Sequence, residues 1–221
     1  MKNLALLVVI VLSCLSLASV VEGQAFKIDA PKKWRTESVA LPPRFAPKVS
    51  LKGKAKVYFS PGWGKKNSEQ FFTYAFLFQT QARPKFDEKV IEKEILAYLG
   101  GLAKAVSRGK VDPDTFKMSV TRVAVDSESK QAETTSASGE RFNAVLEWTE
   151  PFFTKAAHTL NMEIIARFNA TDKKNYLMVC VSPQDPKGTT ESSSKIWQQL
   201  REMQASFIKD ETKVKVETNS K

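Results

Sequence analysis

From Leu51 to Gln81 the chain first alternates and then stops alternating, and that change constrains the fold more than any other stretch. Along LKGKAKVYF, successive side chains of an extended chain point to opposite faces. Gly53, Ala55, Val57 and Phe59 fall on one face, and Lys52, Lys54, Lys56 and Tyr58 on the other. The spacing predicts a half-buried strand with a row of ammonium groups in water. In the tract that follows, Phe71 to Thr80, the residues Phe71, Phe72, Tyr74, Phe76, Leu77 and Phe78 leave no polar face. A strand of that kind is covered on both sides and belongs inside its sheet. Between the two, Pro61-Gly62-Trp63-Gly64 ends the first strand. Proline has no N–H for the ladder, and glycine permits positive φ.

The N-terminus speaks to destination. Lys2 precedes an apolar run from Leu4 to Val21, and Glu22-Gly23-Gln24-Ala25 then turns polar and small. This is the pattern of a secretory signal peptide over residues 1–23, cleaved after Gly23, with cleavage after Ala25 as the neighbouring choice. A membrane anchor is the competing reading, since the run approaches the roughly 17–25 residues a spanning helix needs. Val11-Leu12-Ser13-Cys14 loosely matches a lipid-attachment motif, but the chain stays apolar from Leu15 to Val21, so a lipoprotein anchored at Cys14 is the lesser alternative to a periplasmic or secreted protein. No other stretch is suited to crossing a bilayer, so no transmembrane segment is expected after signal cleavage. With the signal removed, Cys180 is the only cysteine, which excludes an internal disulfide and a multi-cysteine metal site. Its neighbours, Tyr176 to Val181, make it a small buried strand residue.

The rest of the chain sorts into elements. Residues 24–50 hold Pro31, Pro42, Pro43 and Pro47 and read as an extended proline-rich arm, tacked to the body by Trp34, Leu41 and Phe45. Asp87 is a helix N-cap, with Val90, Ile91, Ile95, Tyr98, Leu99, Leu102 and Val106 at helical spacing and Gly109 as the stop. Gly100-Gly101 inside this helix implies close packing on the sheet. Asp112-Pro113-Asp114 is a turn, Phe116 to Val125 a blurred strand, and Asp126 to Glu140 a long exposed hairpin or loop with Gly139 at a turn. Strands follow over Phe142–Trp148, Leu160–Phe168 and Tyr176–Val181, the last two joined by Asp172-Lys173-Lys174-Asn175. A final helix starts near Ser192 with Ile196, Trp197, Leu200, Met203 and Phe207 as its buried stripe. Residues 51–209 therefore form a single α+β domain, and 210–221 a charged, disordered tail. Short turns between consecutive strands imply a single antiparallel β-sheet flanked by two main helices.

Several short strings carry a resemblance. Leu41-Pro42-Pro43, Phe45-Ala46-Pro47, Phe59-Ser60-Pro61-Gly62, Phe72-Thr73-Tyr74-Ala75-Phe76, Tyr98-Leu99-Gly100-Gly101-Leu102 and Ile196-Trp197-Gln198-Gln199-Leu200 resemble a family of exported bacterial proteins of unknown function. The element order is similar to the PsbP-like fold, an α/β/α sandwich. That resemblance implies a binding or accessory role in place of catalysis, and no active-site residues come with it.

Chemistry has few candidates. His158 is the one histidine, so any serine or cysteine nucleophile would need it as base, and no nucleophile-elbow motif supplies the serine. One histidine and one cysteine argue against a metal site, and nothing in the pattern asks for a cofactor. Glu147 and Glu150, flanking Trp148, are the best carboxylate pair. Glu163 alternates with apolar residues and should face out, and Glu92, Lys93 and Glu94 should lie on the exposed side of the first helix. The formal charge is +10, with 34 basic and 24 acidic residues, which favours anionic partners. The candidate surface is Lys52, Lys54, Lys56, Tyr58, Trp63, Lys65 and Lys66, cations interleaved with aromatics. After export, an anionic envelope component or an acidic protein is the expected partner, and nucleic acid is not. The plainer reading is a solvated strand face whose lysines discourage edge pairing. The expected function is a non-catalytic binding or accessory module of the cell envelope, with a carboxylate-dependent hydrolase of envelope polymers as the alternative.

Overall fold

The apolar tract forms a strand from Tyr74 to Gln81 that starts three residues later than its first aromatic. Phe71 and Phe72 sit in the preceding turn, where Phe72 takes φ 51° and its N–H donates to the Trp63 carbonyl at 3.0 Å. A computed structural model describes residues 28–81, 85–124, 139–170, 172–188 and 190–218, with side chains through Phe207 in the last helix. The expected signal peptide and Cys14 lie outside the described residues, as does the expected 126–140 loop except for its last two residues.

The elements in order are β1 (Arg35–Leu41), β2 (Gly53–Phe59), β3 (Tyr74–Gln81), α1 (Glu88–Val106), β4 (Lys117–Arg122), β5 (Glu140–Thr149), β6 (Ala157–Asn169), β7 (Lys174–Ser182) and α2 (Glu191–Thr218), with a short 3₁₀ turn at Pro113–Thr115. The seven strands make one antiparallel sheet in the order β1-β2-β3-β7-β6-β5-β4. Three strands run as a meander, α1 carries the chain to the far edge, and a second meander returns to close against β3. The class is α+β, with one helix on each face of the sheet.

On one face Ile91, Ile95, Tyr98 and Leu99 of α1 pack over Phe76, Phe78, Leu146 and Ile164. On the other, Ile196, Trp197, Leu200, Met203 and Phe207 of α2 cover Leu77, Tyr176, Met178 and Cys180. The expected stripe of α2 is therefore the buried one, and of the stripe expected for α1 Ile91, Ile95, Tyr98 and Leu99 are buried while Val90, Leu102 and Val106 are partly exposed. β3 and β7 are covered on both faces, which is why neither has a polar row. Asp87 caps α1 through a 2.8 Å bond from the Val90 N–H, and Gly109, at φ +77°, follows its end. No helix of the described residues is long and apolar enough to cross a membrane.

Four expectations need amending. The proline-rich arm contains a strand, β1, because Thr36-Glu37-Ser38-Val39-Ala40 alternates and pairs with β2. The glycine pair of α1 makes room for that arm and for the 3₁₀ turn, not for the sheet: a Cβ on Gly101 would stand 2.5 Å from the Phe45 carbonyl oxygen, and one on Gly100 3.0 Å from Pro113. Glu94 is buried at 1% exposure, not outward-facing, and its carboxylate accepts from the N–H of Ser50 at 2.8 Å and from the Ser50 hydroxyl. Finally, α2 continues to Thr218, through much of the segment expected as a tail.

Candidate functional site

The lysine row owes its position to the period of two in β2. Lys54, Lys56 and Tyr58 stand opposite Gln79, Leu77 and Ala75 of β3, on the side of the sheet that α2 covers farther in. They also stand opposite Ala40, Ser38 and Thr36 of β1. Lys52, Lys54 and Lys56 are exposed. The Lys56 ammonium lies 5.4 Å from the centre of the Tyr58 ring.

The aromatic members of the predicted surface do a different job. Tyr58 is 3% exposed and packs in the cluster of Trp34, Ala75 and Leu77; burial pushes its phenol up to about 12. It is a floor beneath the lysines, with its ring closed to a ligand. Trp63 is half-buried and meets Phe59, Phe72, Phe152 and Phe153 at centroid distances of 4.9, 5.3, 5.5 and 5.7 Å. It plugs one end of the sheet. Lys65 and Lys66 are exposed in the loop past that plug, beyond the end of β2. The structure thus groups Lys52, Lys54 and Lys56 and sets Trp63, Lys65 and Lys66 apart from them.

Charge is distributed unevenly. Residues 28–59 carry Lys32, Lys33, Arg35, Arg44, Lys48, Lys52, Lys54 and Lys56 against Asp29 and Glu37, a surplus of six in a whole-chain surplus of ten. This segment is the β1–β2 edge and its lead-in. Among the described residues Lys32, Lys33, Lys52 and Lys56 have no ion-pair partner. At the opposite edge Arg122 reaches Glu88 at 3.0 Å and Glu140 at 2.6 Å, and Lys85 reaches Glu140 at 3.0 Å, with Lys117 outside these pairs. The Arg122 hydrogen bond holds the Glu88 carboxyl below its ordinary value.

The carboxylate candidates do not meet in a cleft. Glu147 is exposed on the face of β5 away from Trp148, opposite Lys117 and Thr159. Glu150 is fully buried and accepts from the N–H groups of Phe152, Phe153 and Thr154 and from the Thr154 hydroxyl at 2.8 Å. The Thr154 hydroxyl also sits 2.9 Å from His158 Nε2. Glu150, Thr154 and His158 staple the 150–158 turn. An open groove of about 360 Å³ between the 68–70 loop and the start of α2, lined by Ser68, Gln70, Lys195 and Gln199 among others, includes none of the three. Cys180 is buried, its Sγ bonds to the Leu200 carbonyl, and burial pushes its thiol well up, away from nucleophilic chemistry. Among the described residues no cluster of His, Cys, Asp or Glu is arranged to hold a metal.

Sequence reasoning passed over β1 itself, the strand that places Thr36, Ser38 and Ala40 beside the lysines. Its alternation was the available signal, obscured by the prolines on either side. The fold and surface define an antiparallel α+β protein with one cationic sheet edge. No family model, curated protein or solved structure matches the chain.

Proposed function

We propose that the protein is an exported, non-catalytic binding or accessory module that meets an anionic partner with its β1–β2 edge. The observation behind this reading is the segregation of charge: six of the ten surplus positive charges fall in residues 28–59, while at the far edge Arg122 and Lys85 are paired with Glu88 and Glu140. A surface of that kind attracts a polyanion over a distance set by ionic strength. An acidic protein or an anionic envelope component supplies the complementary charge. A place among PsbP-like accessory modules is proposed on the motifs and element order given above.

Retention on an anionic resin tests the reading. The wild-type protein is compared with a Lys52→Glu, Lys54→Glu, Lys56→Glu variant and with a control carrying Lys89→Glu, Lys104→Glu and Lys110→Glu, which has the same net charge. The first variant should elute at markedly lower salt than the control. Equal elution of the two variants would show that net charge alone is at work and would overturn the proposed edge.

A further inference from the structure

The hydrogen-bond pattern of β2 fixes which way β1 points its backbone. Ser60 N–H donates to its opposite number Thr73 at 3.3 Å, and Gln81 N–H donates to its opposite number Lys52 at 3.2 Å. Residues that exchange bonds alternate with those that do not. Even-numbered residues of β2 therefore address β3, and Gly53, Ala55, Val57 and Phe59 address β1. Their partners Leu41, Val39, Glu37 and Arg35 are used up by that ladder. Thr36, Ser38 and Ala40 consequently aim their N–H and C=O groups away from the sheet, and among the described residues these groups have no hydrogen-bond partner.

This edge has little of the usual protection. No proline or bulge interrupts Thr36 to Ala40, the register with β2 is unbroken, and the half-buried Glu37 is the one inward charge on it. Its charged residues, Arg35 and Glu37, belong to the other face. On the face of Lys54 and Lys56 the edge strand presents only Thr36, Ser38 and Ala40, all small and exposed. A strand added beside β1 lies two strand spacings, roughly 9.6 Å, from β2, a gap that a lysine side chain and a glutamate side chain reaching toward each other over β1 can span together. Nothing bulky stands between the ammonium row and whatever pairs with the edge. A strand added there, with carboxylates at alternate positions, has the same two-residue spacing as Lys54 and Lys56. The net charge of +10 opposes a second copy of the chain as the occupant.

We propose that β1 is a docking edge for an extended acidic segment of a partner protein, which adds to the sheet as an eighth strand and sets its carboxylates against Lys54 and Lys56. This rests on the anionic-partner reading and specifies the partner as polypeptide, held by main-chain bonds for affinity and by lysines for selection.

The test uses the purified protein and a short capped peptide alternating glutamate and valine. The peptide should bind saturably and slow amide exchange at Thr36, Ser38 and Ala40. The same peptide with alternate backbone amides N-methylated keeps its charge but cannot pair, and should bind at least about tenfold more weakly. A Ser38→Pro variant should show the same loss, because Ser38 gives no N–H to β2; its circular dichroism checks folding, and the methylated peptide makes the test independent of that variant. Equal binding of native and methylated peptides would overturn strand addition while leaving charge attraction standing. Binding of heparin or anionic vesicles without binding of the peptide would overturn the polypeptide partner. Failure of every polyanion to bind would overturn both this inference and the reading beneath it.

Discussion

Glu37 shows how one carboxyl connects strand position to stability. It lies half-buried on β1, on the face opposite the lysine row and in the field of Tyr98. Burial pushes its carboxyl up, and Arg35 pulls the other way without winning. The folded protein therefore holds this proton more tightly than the unfolded chain does. The associated stability is present below the ordinary carboxyl range and is lost as pH rises through the raised value. Glu37→Gln should raise the Tm at about pH 7 and leave it nearly unchanged at about pH 3; a variant that melts lower at neutral pH would show the charge to be favourable where it stands. Glu88 and Glu140 have the opposite sign. The Arg122 bond lowers Glu88, and for Glu140 burial opposes ionisation but the Lys85 and Arg122 bonds outweigh it. Their contributions are lost in acid, so comparison with wild type at each pH isolates Glu37. At this scale the sequence was least legible. Tyr58, Glu94 and Glu150 each sit in polar or alternating surroundings, and only the segments folded over them make them buried.

Elements were more legible where their own residues decided them. The stripe of α2, the cap of α1 and the strand over 53–59 depend on periodicity and local hydrogen bonds, which are properties of short stretches. β1 depends on something else: a strand flanked by prolines gains its ladder only because β2 offers one. The same lead-in explains the glycines of α1. Phe45 stands edge-on to Tyr98 at 5.3 Å, and Gly101 lets the 45–46 backbone close on the helix. Gly101→Ala should improve helix propensity by roughly 1 kcal/mol yet destabilise the protein by about 1–2 kcal/mol, since a Cβ there meets backbone and not a yielding side chain. Denaturant melts of the two proteins measure the sign; a stabilised variant would mean that the arm moves aside at little cost.

For the molecule as a whole, the order β1-β2-β3-β7-β6-β5-β4 puts the doubly covered strands in the middle and the helix-to-sheet cores on either side. Local opening should follow that plan. Amide exchange is expected to be slowest in β3 and β7 and fastest in β1 and β4, because edge strands can detach without opening both cores. Amides of β1 as protected as those of β7 would contradict it. By itself the amino-acid pattern determined the antiparallel α+β class, the apolar stripes of both helices and the surplus of positive charge, since periodicity and composition act over a few residues. Only the tertiary structure decided that the surplus gathers at one edge, that the aromatic residues beside it are structural, and that a row of backbone groups is left open there. Those facts depend on which distant segment lies beside which, and pairing between strands is a choice made by the whole chain and not by its local sequence.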